Sequence, residues 1–74
     1  MEYKMTEPTV GQKRVRVSFN PSGNTTVDTI KSDTASLIDR VLNLSGNDPE
    51  RARCCALAAT AYEEAAMWAV KAAT

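Results

Sequence analysis

The stretch DPERARCCALAATAYEEAAMWAVKAAT, residues 48–74, decides the fold. It reads as one long helix. Ten alanines lie between Ala52 and Ala73, and neither glycine nor proline follows Pro49. Alanine is the best helix former because it loses no side-chain entropy. Asp48 is a good N-cap, and Pro49 fits the first helical position, where its missing N–H costs nothing. From Pro49 to Ala73 such a helix is roughly 37 Å long at ~1.5 Å per residue. Its only charges are Glu50, Arg51, Arg53, Glu63, Glu64 and Lys71, so long arcs carry none. A helix apolar almost all round is normally buried almost all round. The rest of a 74-residue chain is too small to cover it, so other copies of the chain are expected to do so.

Outward from that helix, Gly46 stands where a C-cap glycine belongs, and residues 45–48 form a short link. A second helix precedes the link. Val27, Ile30, Thr34, Leu37, Ile38, Val41, Leu42 and Leu44 make one broad stripe, ending at about Leu44. Asn24 or Thr25 caps its start, and Thr25 with Asp28 resembles a capping box. So short a link makes the two helices antiparallel neighbours. NPSGN, residues 20–24, is turn chemistry. In KRVRVSF, residues 13–19, Val15, Val17 and Phe19 alternate with polar side chains. That is the signature of a short strand, or of an extended arm laid on another surface. Residues 1–12 show no period and read as a loose arm. The expected architecture is all-α: an antiparallel αα-hairpin of two long helices (residues 24–74) behind a short extended or irregular arm and turn (residues 1–23), assembled as a homo-oligomer.

Composition excludes several classes. Nine basic and nine acidic residues cancel, so no bulk attraction to DNA or acidic membranes is implied. Histidine is absent, which removes the commonest general base and metal ligand. Glu63 and Glu64 are helix neighbours that project in different directions. No catalytic, metal or cofactor constellation emerges, and an enzyme is not expected. Residues 1–10 have no apolar core for a secretory signal, and the longest uncharged run, residues 54–62, is far short of the ~20 residues of a membrane span. A soluble, cytoplasmic protein is expected. Cys54 and Cys55 are adjacent and point about 100° apart on a helix. They are expected to be reduced, buried small apolar residues.

A few side chains stand out. Lys31 lies one position off the apolar stripe, either snorkelling at the edge of the hairpin or meeting a ligand. Thr34 interrupts the stripe; its hydroxyl either bonds back to the Ile30 carbonyl or faces a ligand. Arg14, Arg16, Phe19, Ser22 and Asn24 gather before the second-to-last helix, where exposed amides suit phosphate and an aromatic suits a nucleobase. Phe19 serves equally as a staple onto that helix. Tyr62 and Trp68, with Met67 between them, read as oligomer anchors ahead of ligand contacts. Lys71 suits the negative end of the helix dipole.

Taken together, TVDTIK (residues 26–31), Thr34 with Leu37 and Ile38, and RCCALAATAYEEAAMWAVKAA (residues 53–73) resemble the small phage anti-CBASS sponge proteins, whose hairpin domain also occurs in an anti-Thoeris family. Those proteins carry Asn/Asp-x-Ile-Lys on the first helix. On the second they carry an arginine-aromatic start, a threonine seven residues before a methionine, and a basic residue one turn later. The matching positions are Asp28, Ile30, Lys31, Arg53, Thr60, Met67 and Lys71.

The resemblance implies a compact homohexamer, in the cytoplasm of the infected bacterial host, that sequesters cyclic di- and trinucleotide messengers without turnover. It implies that Lys31 contacts a cyclic dinucleotide, with Thr34 and Arg16 beside it. It also implies an aromatic stacked on a base, for which Phe19 stands nearest, closer to the lysine than the family's tyrosine. The terminal basic residue of a separate trinucleotide site becomes Lys71, lysine in place of arginine, without the planar fork. Two other readings compete. In a ribbon-helix-helix DNA-binding repressor, KRVRVSF would be the ribbon, but the last helix is about twice the length such a fold needs and a basic excess is lacking. A purely structural oligomerisation module leaves Thr34 and the arginines without a role.

Overall fold

The computed structural model of the chain describes residues 7–21 and 23–74. Among them are three helices and no strand: α1 (Val10–Arg14), α2 (Thr25–Leu42) and α3 (Pro49–Ala73). The long helix α3 begins as expected, with the Asp48 carboxylate accepting the Glu50 N–H at 3.1 Å and Pro49 at the first helical position. Asn24 caps α2, its side-chain oxygen accepting the N–H groups of Thr26 and Val27. It is the cap in preference to Thr25. Helix α2 closes at Leu42, two residues before the expected end, with Asn43 as its C-cap in right-handed conformation. Gly46 supplies the left-handed residue (φ +56°) inside the link rather than at the cap.

The helices pack as an antiparallel hairpin. The Asn24 side-chain N–H donates across to the Ala73 carbonyl at 3.3 Å, tying the start of α2 to the end of α3. On α2 the buried line is Val27, Lys31, Ala35 and Ile38. The expected stripe was rotated from this line: Leu37 (39 % exposed) and Leu44 (59 %) face outward. From α3 come Cys55, Ala59 and Ala66, with Tyr62 packed against the same cluster. Of the two cysteines only Cys55 is buried. Cys54 is exposed, which corrects the expectation for it.

Residues 13–19 are not a strand. Thr9 opens α1 with a reciprocal capping box: Thr9 Oγ1 accepts the Gln12 N–H at 3.1 Å, and Gln12 Oε1 accepts the Thr9 N–H at 2.8 Å. That T-x-x-Q pattern is a local helix-start signal, and it outweighs the alternation downstream. Val15 and Val17 reach the core from a turn that follows α1. The ribbon of a ribbon-helix-helix protein therefore has no counterpart among the described residues. The part of the loose arm before residue 7 lies outside them, as does Ser22.

Helix α1 is held on α2 at one close approach. The Gly11 N–H donates to Asp39 Oδ1 at 2.7 Å. A β-carbon at Gly11 would overlap the Ala35 carbonyl oxygen and lie 2.9 Å from Asp39 Oδ1. Gly11→Ala must push α1 off α2, at about 1–3 kcal/mol for an overpacked contact. The expected outcome is a melting temperature lower by about 4 °C or more, measured by circular dichroism, with Lys13→Ala as the exposed control on the same helix. Superimposable melts for the two variants would contradict this packing.

Candidate functional site

The turn between α1 and α2 is unusual in its backbone. Arg16 is the one non-glycine among the described residues with positive φ, +57°, a conformation that costs an L-residue about 1–2 kcal/mol. It is wound tightly by neighbouring amides. Val15, Arg16 and Val17 donate to the carbonyls of Gly11, Lys13 and Gln12, and the Phe19 N–H returns to the Arg16 carbonyl at 2.9 Å. Asn20 braces the far side, its amide donating to the Asn24 carbonyl and to Asp28 Oδ1, each at 2.7 Å.

Lys31 locks this turn from inside. Its side chain is 7 % exposed, and its ammonium donates to the Arg16 carbonyl at 3.0 Å and to the Phe19 carbonyl. The ion pairs among the described residues are Arg14–Glu63 and Arg53–Glu50; neither involves Lys31. A nearly buried cation thus rests on neutral carbonyl dipoles, without a carboxylate. An ammonium has three N–H donors, and these carbonyls take two of them. The same cation lies 5.4 Å from the centroid of the Phe19 ring, and the Arg16 guanidinium lies over that ring at 4.5 Å. Phe19 remains 52 % exposed.

These groups line one cleft of about 540 Å³ between the turn and α3. Its far wall includes Thr60, Glu63 and Met67. Arg14 crosses between the two walls, its Nε donating to Glu63 Oε1 at 2.8 Å and its Nη2 to Thr60 Oγ1 at 3.3 Å. Cations, one aromatic face and a carboxylate therefore share a single opening.

The structure brings together Arg14, Arg16, Phe19, Lys31 and Met67 from the sequence-derived set, and adds Glu63 as the partner of Arg14. No local pattern signals that pair, because its members are 49 positions apart. Thr34 does not line the cleft; its hydroxyl bonds back to the carbonyls of Ile30 (2.7 Å) and Lys31 (3.2 Å). Lys31 is not a snorkelling edge residue. Lys71 is exposed and away from the cleft lining. Tyr62 is half-buried in its own chain's core. Met67 lines the cleft and is 56 % exposed, as is Trp68, whose indole N–H donates to Glu64 Oε2 at 3.4 Å. Arg53, at the start of α3, donates to the Glu50 carboxylate. With the Cys54 thiol, that arginine holds Glu50 below the usual carboxylate range.

Residues 11–74 match the sequence profile of the Acb2/Tad1 hairpin domain. No curated protein and no solved structure matches the chain.

Removing the Lys31 ammonium takes the side-chain donor from the Phe19 carbonyl and one of two donors from the Arg16 carbonyl, which keeps the Phe19 N–H, a loss of about 1–3 kcal/mol. Lys31→Met keeps the stem, so it isolates that loss. It is expected to shift the urea midpoint down and to raise proteolytic cleavage between Arg16 and Phe19. Unchanged protection of that turn would show that the ammonium does not hold it.

Proposed function

The chain belongs to the Acb2/Tad1 hairpin-domain family, a family of phage anti-defence sponges, and from that premise we propose that it binds cyclic di- and trinucleotides and sequesters them intact. One observation carries the reading: the buried, carboxylate-free Lys31 ammonium beside the half-exposed Phe19 ring, both opening on the cleft. A cyclic oligonucleotide offers what this pair lacks. Its phosphodiesters bring a charge for Lys31 and Arg16, and its bases bring π-faces for Phe19, each such stack being worth about 1–3 kcal/mol. Arg16, 4.5 Å from the Phe19 ring centroid, would hold the ring still and add a cation–π contact. Sequestration asks for nothing further, since a sponge acts by mass action on free messenger and not by rate.

Thr34 enters only if ligand binding turns its hydroxyl away from Ile30. Lys71 belongs to a second site, for cyclic trinucleotides, completed by another copy. The shape of one chain supports the presence of other copies. Its Cα trace is 12 Å deep along the shortest principal axis, a single layer of helices. Leu37, Leu57, Met67 and Trp68 are all exposed on it. We place Trp68 and Met67 at the junctions between copies in a hexamer, with Tyr62 supporting them from within its own chain. The cytoplasm of the infected host is where such messengers are met. No helix among the described residues is long and apolar enough to cross a membrane.

Calorimetric titration with cyclic di- and trinucleotides tests the proposal. Binding is expected with the ligand recovered unchanged after denaturation, and Phe19→Ala is expected to weaken it by on the order of tenfold. Thr34→Val should leave the melt unchanged, so any loss of affinity in it reports a ligand contact. Lys71→Ala is expected to weaken trinucleotides selectively; equal affinity for them in that variant would remove Lys71 from the site.

Light scattering tests the assembly independently. A mass of six copies is expected, and a well-folded monomer at micromolar concentration would refute it.

A further inference from the structure

Phosphate binding does not explain the two carboxylates that line the cleft, Glu63 and Glu64, and Glu63 is the one tied to the cations. A carboxylate repels phosphodiesters, yet this one sits in the same opening as Arg14, Arg16 and Lys31. It is held there firmly: Oε1 accepts from Arg14 Nε at 2.8 Å, and the side chain is 42 % exposed, so the carboxylate is fixed without being covered. Arg14 is itself steadied by Thr60. The Oε2 atom accepts no hydrogen bond among those found in the described residues. Its neighbour Glu64 is different, because its carboxylate is taken by Trp68.

A fixed carboxylate with a free oxygen accepts from paired N–H donors. Among the nucleobases, guanine presents such a pair on its Watson–Crick edge, N1–H beside the N2 amino group. Adenine presents an acceptor at N1 beside its single amino donor. From this we infer that Glu63 selects guanine: in a cyclic dinucleotide held by the cations, it accepts the N1–H and N2–H of a guanine base, while Arg14 neutralises the carboxylate from behind. The assignment rests on the sequestration proposal above and names the base preference of that site. Glu63 is a specificity residue and takes part in no bond-making.

The amide variant provides the test. In Glu63→Gln one oxygen still accepts from Arg14, so the link between α1 and α3 is kept. The side chain now presents one acceptor and one donor, a pattern that meets adenine's N6–H and N1 and meets guanine poorly. Affinities for cyclic di-GMP and cyclic di-AMP are measured for both proteins, with circular dichroism melts as the fold control. The native protein is expected to prefer cyclic di-GMP by on the order of tenfold, the range of one bidentate base-edge contact. In Glu63→Gln the preference is expected to vanish or reverse, at an unchanged melt. Equal binding of the two ligands by the native protein would overturn the assignment, as would a parallel loss of both in the variant; either leaves sequestration itself standing. Binding of no cyclic nucleotide by the native protein would instead overturn sequestration, and this assignment with it.

Discussion

The ammonium of Lys31, buried against the carbonyls of Arg16 and Phe19, is the contact on which the rest of the site depends. It does two things at once. It closes a turn whose backbone would otherwise not stay closed, since Arg16 sits in the left-handed region at a cost of about 1–2 kcal/mol. It also leaves a positive charge in a poorly hydrated place without a carboxylate beside it. Burying a charge is costly unless it is paired and hydrogen-bonded, and here only the hydrogen bonds are supplied. Structure and ligand demand therefore come from one side chain, which also means that the two roles are coupled. Whatever anion reaches Lys31 acts on the turn that carries Phe19.

That coupling explains which parts of the molecule were legible in the sequence. Helix α3 was plain because its determinants are local: Asp48, Pro49 and the alanines that follow. The hairpin followed from a link too short for anything else. Helix α1 was missed because valines at positions 15 and 17 alternate as they would in a strand, although Thr9 and Gln12 carried a capping box in view. The deeper reason is distance. What fixes α1 is Asp39, 28 positions away, meeting the amide of a glycine that has no side chain to keep the helices apart. The apolar pattern puts Lys31 one position off the buried stripe for a similar reason. A lysine belongs inside only when carbonyls are waiting for it, and those carbonyls belong to a turn that the pattern did not reveal. The Arg14–Glu63 pair had no sequence signal at all.

The alanine surface has a matching logic. Among residues with less than 2 % exposure the largest is Ile38, and the rest of the buried cluster is mostly alanine and valine. A core of small side chains buries little area, at about 25 cal/mol per Å², so one hairpin gains little by folding alone. Small residues do let helices approach closely. The chain gives up a self-sufficient core and keeps flat faces, with Leu57 and Trp68 standing out from them. Such faces suit an assembly in which further copies supply the second layer that a single chain lacks.

The absence of net charge fits the same economy of contacts. Binding to duplex nucleic acid depends on releasing many counterions and weakens steeply with salt. A chain with nine charges of each sign has no such reservoir. It has instead a few cations concentrated on one cleft, opposed by a carboxylate that Arg14 already engages. A field of that kind falls off within about a Debye length, ~8 Å at physiological salt, so it cannot gather a polymer from a distance. It acts only on a ligand small enough to enter. Under the proposed sequestration, stacking on Phe19 and the donor pattern of the base edge would decide what stays, which would place discrimination in short-range contacts and leave the charges to hold the phosphates.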